Sequence, residues 1–241
     1  MMSTLRSPDI EITGISSMAT RHVLNELALR YRTLTGQKVL TESVGGVEAA
    51  RRLEGGESFD FAVLAKDTML RLAQSGYVDA STLVDVAQSG IAIAVASGSQ
   101  CPEVGSEESV RRAIQHARAI GYSTGPSGAH LMALLKRWGI ADEVAPRLVQ
   151  TPPGVPVAKL VASGEVELGI QQLSELVNVE GITIAGELPV SIQRQTVFSG
   201  GACTRSWHRS AVLEWLSALR SVDFDEVKER HGMTSVGSVR G

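Results

Sequence analysis

Apolar segments typical of strands alternate with segments of helical periodicity along almost the whole chain. Residues 90–97 (GIAIAVAS) form an unbroken apolar run, as expected of a strand buried on both faces of a sheet. Residues 128–138 instead carry Leu131, Leu134 and Trp138 at helical spacing. This alternation predicts an α/β fold in which helices cover both faces of mostly parallel sheets.

Four strand-to-helix junctions share a second pattern. In each, an apolar strand enters a short loop rich in hydroxyl groups, glycine or amides, and a helix follows at once; the junctions lie within residues 10–27, 38–53, 117–135 and 166–176. Open α/β sheets bind ligands at the carboxyl ends of their strands, and the N-terminus of the following helix favours an anion. We therefore expect a small anion to be bound by loop residues Ser16, Ser17, Gly45, Gly46, Ser123, Thr124, Ser127, Gly128, Gln171 and Gln172.

The four junctions differ in specificity. The loop at residues 123–128 (STGPSG) is the most specific, because hydroxyl groups, a proline and glycines precede a helix without the lysine of a phosphate-binding loop. At the other junctions there are alternatives to ligand contact. These are helix capping by Ser17, a plain turn at Gly45-Gly46 and helix capping by the two glutamines. Convergence of all four on one edge of the sheets favours a shared site.

Composition narrows the classes of function. Of the 241 residues, 43% are hydrophobic and 20% charged, and the net charge is −3, as in a soluble globular protein with a full core. Without a basic stripe, nucleic acid is not an expected partner, and no apolar run is long enough to predict membrane insertion. The N-terminal residues lack a secretion-signal pattern, which predicts a cytoplasmic protein as written, or a periplasmic one if the chain is a trimmed mature form. Cys101 and Cys203 lack metal-site spacing, and neither a metal nor a cofactor is expected.

The order of several motifs resembles the molybdate-binding branch of the type 2 periplasmic-binding (solute-binding) protein fold. The motifs are SSMAT, ARRLEGGESFDFAVLA, YSTGPSG, GEVELGIQQLSEL and RHGM, and the likeness extends over residues 10–233. The resemblance implies two doubly wound α/β lobes joined by two crossover strands, with the ligand clamped in a cleft between them. It places lobe one at residues 1–86 plus 187–241 and lobe two at residues 87–186, with residues 90–97 and 191–202 as candidate crossover strands.

The resemblance also implies roles for single residues. Ser17 matches a ligand-binding serine of the first loop, and Ser127 and Val155 match positions whose backbone amides contact the oxyanion. The chain departs from the family pattern at two hydroxyl donors. Glycine (Gly45 or Gly46) replaces the second-loop serine, and Gln172 replaces a tyrosine. Fewer hydroxyl donors favour a di- or tricarboxylate over molybdate.

The same branch includes aconitate isomerase, so the resemblance also leaves catalysis open. An isomerase needs a base beside the bound carboxylate, for which His130 and Glu42 are the candidates, while Arg194 is a candidate partner for a ligand carboxylate. The functions left open are a carboxylate-binding protein, a cytoplasmic isomerase of an unsaturated polycarboxylate and a molybdate- or tungstate-binding component of an ABC transporter. A ligand-sensing regulatory domain ranks last, because the sequence has no recognisable DNA-binding segment. Transporter subunits are expected partners only of an exported protein.

Overall fold

The computed structural model describes residues 10–152 and 154–236. Two five-stranded sheets form its framework, and the α-helices lie on their faces. The strands are β1 (Glu11–Ser17), β2 (Lys38–Val44), β3 (Phe61–Ala65), β4 (Val84–Ser89), β5 (Ile91–Ala96), β6 (Ile120–Tyr122), β7 (Leu148–Gln150), β8 (Leu168–Gln172), β9 (Ile182–Glu187) and β10 (Thr196–Ala202). The α-helices are α1 (Arg21–Thr35), α2 (Gly46–Glu54), α3 (Lys66–Gln74), α4 (Glu107–His116), α5 (Pro126–Arg137), α6 (Ala141–Val144), α7 (Val157–Ala162), α8 (Arg209–Leu219) and α9 (Asp225–Arg230).

Each sheet mixes parallel and antiparallel pairs. The first has the order β2-β1-β3-β10-β4 and the second the order β7-β6-β8-β5-β9. β1 pairs in parallel with β2 and β3, whereas β10 runs antiparallel to β3 and β4. In the second sheet β6 is parallel to β7 and β8, and β5 is antiparallel to β8 and β9. The α/β fold class is confirmed, but the expected mostly parallel sheets are mixed, because a strand arriving from the other sheet enters each of them in the opposite direction.

The apolar runs are buried on both faces, as the sequence predicts. In β5, Ile91, Ile93 and Val95 pack into one hydrophobic cluster, whereas Ala92 and Ala94 pack into another on the opposite face. Successive strand residues point to opposite faces, so a strand covered on both sides needs apolar residues at every position. In β3, Phe61 and Val63 pack into one hydrophobic cluster and Ala62 and Leu64 into another, so the first sheet also has a core on each face.

The chain passes between the sheets twice. β4 ends at Ser89 and β5 starts at Ile91, so only Gly90 separates a strand of the first sheet from a strand of the second. A Cβ atom on Gly90 would lie 2.7 Å from a carboxylate oxygen of Glu187 and 2.8 Å from the Gln193 amide nitrogen, so this passage is closely packed. The return passage runs between β9 and β10. The lobe boundaries at residues 86/87 and 186/187 stay a prediction.

Two further observations concern the cysteines and the length of the helices. Cys101 is exposed, Cys203 is buried, and both thiols are free. Within residues 10–152 and 154–236, no helix combines the length and apolar character needed to cross a bilayer.

Candidate functional site

A cavity of about 270 Å³ opens where loops of the two sheets face each other. The first sheet contributes Ser17, Gly45 and Gly46, and the second contributes the loop at residues 123–127 and the end of β8. The structure thus brings all four predicted junctions to one site. Of the residues expected to bind the ligand, those that line the cavity are Ser17, Gly45, Gly46, Ser123, Thr124, Ser127, Val155, Gln171 and Gln172.

Helix N-termini surround this cavity. Six helical segments begin at residues that line it, and their N-cap residues are Ser17, Gly45, Ala65, Gly125, Pro156 and Gln172. None of these six N-caps accepts a backbone hydrogen bond with its side chain, whereas Ser106 and Asp79, which cap helical segments elsewhere, do so. First-turn N–H groups have no acceptor within their own helix, and the helix dipole makes this end electropositive. At α7 and at the turn after β8 the first N–H groups are already engaged, because Val157 donates to Gln171, and Leu173 and Ser174 donate to Gly90 and Ser89. The other four N-termini place main-chain donors suited to an anion at the cavity.

Positive side chains are absent from the described lining of the cavity, where Glu175 is the only ionisable residue. The nearby arginines of α2 are held elsewhere, because Arg51 pairs with Glu48 and Arg52 pairs with Glu42 and Glu57. The described residues also contain no cluster of three or more side chains able to hold a metal ion. An anion here would be held by neutral dipoles rather than by ion pairs or a metal.

Gly128 shapes the second-sheet loop without lining the cavity. A Cβ atom at this position would lie 1.8 Å from the main-chain carbonyl oxygen of Ser123, so the start of α5 lies against the loop backbone. Within the loop, the Ser123 hydroxyl accepts a hydrogen bond from Gly125 N–H at 3.3 Å, and Ser127 is buried. The close approach allowed by Gly128 places both serines at the cavity.

The two glutamines at the end of β8 have different surroundings. The Gln172 amide fits its neighbours when its oxygen accepts from the Thr196 hydroxyl at 2.7 Å and its nitrogen donates to the carbonyl of Ser89 at 2.9 Å and of Gly90 at 3.1 Å. Gln172 therefore connects both passages between the sheets from the edge of the cavity. The Gln171 amide oxygen accepts from Val157 N–H at 3.1 Å, and its nitrogen donates to the Glu175 carboxylate.

Glu175 is the main site residue that sequence reasoning missed. It ends the 3₁₀ turn Leu173–Glu175 that follows β8, and burial raises the pKa of its carboxyl to about 8. No described cation contacts it to offset this burial. A sequence signal exists, since Glu175 follows Gln171 by four residues in the otherwise apolar or neutral segment LGIQQLSEL.

Several predicted site residues lie outside the cavity lining. Ser16 has its hydroxyl 2.8 Å from that of Ser43, and Arg194 is exposed. Glu42 is exposed and bonded to Arg52, a contact that holds the pKa of its carboxyl below the usual value. His130 Nε2 lies 2.7 Å from the carbonyl oxygen of Ile192, so this nitrogen carries the proton and donates. The assigned roles of these residues stay predictions.

His130 gives a first test. Because its donated hydrogen bond ties α5 to the segment before β10, His130→Ala is expected to lower the free energy of unfolding by about 1 kcal/mol. The affinity for a carboxylate ligand is expected to stay within about twofold, since the ring does not line the cavity. Thermal unfolding and calorimetric titration measure the two effects. Loss of turnover at unchanged stability would instead support His130 as the base.

Comparisons with known proteins find a related sequence and several structures of similar fold. Aconitate isomerase from Pseudomonas sp. is 32% identical over 234 residues, which cover 95% of this chain and 89% of that protein. The periplasmic molybdate-binding protein of Azotobacter vinelandii shares the fold with a TM-score of 0.79 at 15% identity, covering 92% of this chain and 98% of the other. The substrate-binding domain of a molybdenum ABC transporter from Clostridium difficile has a TM-score of 0.72 at 15% identity, covering 94% and 99% of the two chains.

The family model for bacterial extracellular solute-binding proteins matches residues 12–234, which include both sheets and every loop around the cavity. Its extent agrees with that of the likeness to solved periplasmic proteins. The chain belongs to the bacterial extracellular solute-binding protein family.

Proposed function

We propose that this protein binds a di- or tricarboxylate in the cavity and isomerises an unsaturated one by moving a proton. The observation that carries the proposal is the convergence of helix N-termini from both sheets on a cavity that has no described cation in its lining and one carboxyl group. Main-chain donors bind carboxylate oxygens and also stabilise negative charge that develops during proton abstraction. The relative named aconitate isomerase supports the same chemistry.

The size and lining of the cavity favour a polycarboxylate over a tetrahedral oxyanion. A tetrahedral oxyanion needs room for four oxygens of roughly water size, about 30 Å³ each. The cavity of about 270 Å³ is larger than that. Glycine at positions 45 and 46 supplies no hydroxyl group, and the Gln172 amide is occupied by Thr196, Ser89 and Gly90.

Purified protein provides the test. Incubation with cis- or trans-aconitate is expected to interconvert the two isomers, which ultraviolet absorbance and proton NMR detect. Either isomer at 100 times its dissociation constant is expected to stabilise the fold by about 2.7 kcal/mol. For a chain of this size the unfolding temperature then rises by roughly 5–10 °C.

Molybdate, tungstate and sulfate are the matched comparison ligands. We expect each to shift the unfolding temperature less than aconitate does at equal concentration. Stabilisation by molybdate or tungstate alone, with no isomerisation, would contradict the proposal. That outcome would favour an oxyanion-binding role with ABC transporter subunits as partners.

A further inference from the structure

We propose that Glu175 is the catalytic residue that takes a proton from one carbon of the bound substrate and returns it to another. Gln171 acts as the positioning residue for its carboxyl group. This inference deepens the proposed isomerase function and rests on it. It assigns the chemistry to a residue of the second sheet, on the turn after β8.

Geometry is the first argument. Glu175 is the only ionisable residue in the described lining of the cavity, which makes its carboxyl group the candidate proton acceptor in contact with the ligand. The same turn has its N-terminus at Gln172, which also lines the cavity. Leu173 N–H donates to the Gly90 carbonyl and Ser174 N–H to the Ser89 hydroxyl, so the turn that carries the carboxyl group is fixed against a passage between the sheets.

The orientation of Gln171 is the second argument. Val157 N–H can only donate, so the oxygen of the Gln171 amide faces Val157 and its nitrogen must face Glu175. Because Gln171 is buried and held at both ends, it fixes one oxygen of the Glu175 carboxyl group. A fixed base at contact distance is what general acid–base catalysis requires.

The electrostatics of the carboxyl group agree with this role. With its pKa raised by burial to about 8, Glu175 is mostly neutral at pH 7 and does not repel an entering anion. A carboxylate with such a pKa is also a stronger base than an ordinary glutamate. Close to its pKa the group exchanges protons in both directions, as an isomerisation needs.

The proposed step conserves atoms and electrons. Ionised Glu175 takes a proton from the saturated carbon beside a substrate carboxylate, and the electron pair of that C–H bond spreads over the adjacent double bond and carboxylates. Glu175 then returns the proton to the far carbon of the former double bond, which moves by one position. The helix N-termini stabilise the additional negative charge between the two transfers. No oxidant or reductant takes part, and Glu175 ends ionised, as it began.

The first experiment measures binding without turnover. Tricarballylate is a saturated analogue, and calorimetric titration from about pH 7 to about pH 9.5 reports its affinity. The anion prefers neutral Glu175, so affinity is expected to be constant below about pH 8 and to fall up to tenfold per pH unit above it. In Glu175→Gln the affinity is expected to stay level over this range.

The second experiment measures turnover of trans-aconitate. The ionised base is the active form, so kcat/KM is expected to rise with pH up to about 8 and then level off. Glu175→Gln is expected to lower kcat by roughly 100- to 10,000-fold, the contribution of a general base, while still binding tricarballylate. Glu180→Gln, which makes the same change at an exposed residue outside the cavity, is the matched control and is expected to behave as wild type.

Gln171→Leu tests positioning. Loss of the donated hydrogen bond disfavours the carboxylate, so both pH profiles are expected to shift to higher pH. A structural role alone would lower stability and leave the profiles at their wild-type positions.

The outcomes distinguish the role of Glu175 from the isomerase function on which it rests. Wild-type turnover that persists in Glu175→Gln would overturn the role of Glu175 and leave the isomerase function in place. Absence of turnover in the wild type, with the pH-dependent affinity intact, would overturn the function and the proton-transfer step together. Affinity that is level with pH in the wild type would show that Glu175 is not the proton-linked group of the site.

Discussion

Gly128→Ala is expected to lower the affinity of the cavity for carboxylates by about 100-fold, or about 2.7 kcal/mol. The added methyl group would lie 1.8 Å from the main-chain carbonyl oxygen of Ser123, and a backbone atom cannot move aside as a flexible side chain can. The loop at residues 123–127 would then be displaced from the N-terminus of α5. Overpacking of this kind is also expected to reduce the free energy of unfolding by about 3 kcal/mol.

Calorimetric titration with tricarballylate and thermal unfolding measure both effects of Gly128→Ala. Gly105→Ala is the matched control, because a Cβ atom at Gly105 has no neighbour within 4 Å and the residue does not line the cavity. Its affinity and stability are expected to stay close to wild type. Wild-type affinity in Gly128→Ala would show that the position of the loop does not determine binding.

Gly46→Asp is expected to abolish measurable binding of a tricarboxylate while the fold stays intact. Gly46 is the first residue of α2 and lines the cavity, and a Cβ atom there has Ser17 Cβ at 3.9 Å as its near neighbour, so a side chain fits. Two like charges about 5 Å apart at an effective dielectric constant near 20 repel by roughly 3 kcal/mol, which is more than 100-fold in affinity. The aspartate itself is favoured at a helix N-terminus.

Gly46→Asn separates charge from size. It adds nearly the same volume without a charge, and its affinity is expected to fall far less than that of Gly46→Asp. Titration calorimetry of both variants, with thermal unfolding to confirm folding, gives the comparison. Equal losses in the two variants would contradict an anion site at this helix end.

Much of the framework follows from local pattern. The apolar runs of β3 and β5 predict strands because both faces of each are covered. The same reasoning does not predict β4, because Asp85 and Gln88 interrupt its apolar positions. Its pairing with β10 joins residues more than 100 positions apart. Long-range pairing of this kind leaves no local signal.

The sequence predicted part of the cavity lining, because the ends of strands can be located from local pattern whereas the direction of side chains cannot. Sheet topology brings the loops at the ends of strands together. The strand-to-helix pattern therefore predicts that Ser17, Gly46 and Ser127 lie at one site. The direction of a helical side chain depends on where the helix starts. α5 starts at Pro126, and His130 on this helix contacts Ile192 instead of lining the cavity.

The environment of Glu175 is set by tertiary structure. The pKa of its carboxyl group is raised by burial, and the cavity that Glu175 lines is formed by segments distant in the chain. The position of Gln172 likewise depends on backbone carbonyls at Ser89 and Gly90. The spacing of Gln171 and Glu175 marks the pair in the sequence, but the burial of Glu175 and the contacts of Gln172 cannot be inferred from it.

Binding an anion through peptide N–H groups makes a site tolerant of sequence change. Every amino acid except proline supplies the same amide, so most replacements around the cavity leave the capacity to hold negative oxygen atoms intact. Side chains at positions such as 45 and 46 can then differ in size and charge without removing these donors. Ligand preference can thereby change through a few side-chain exchanges while the main-chain donors are kept.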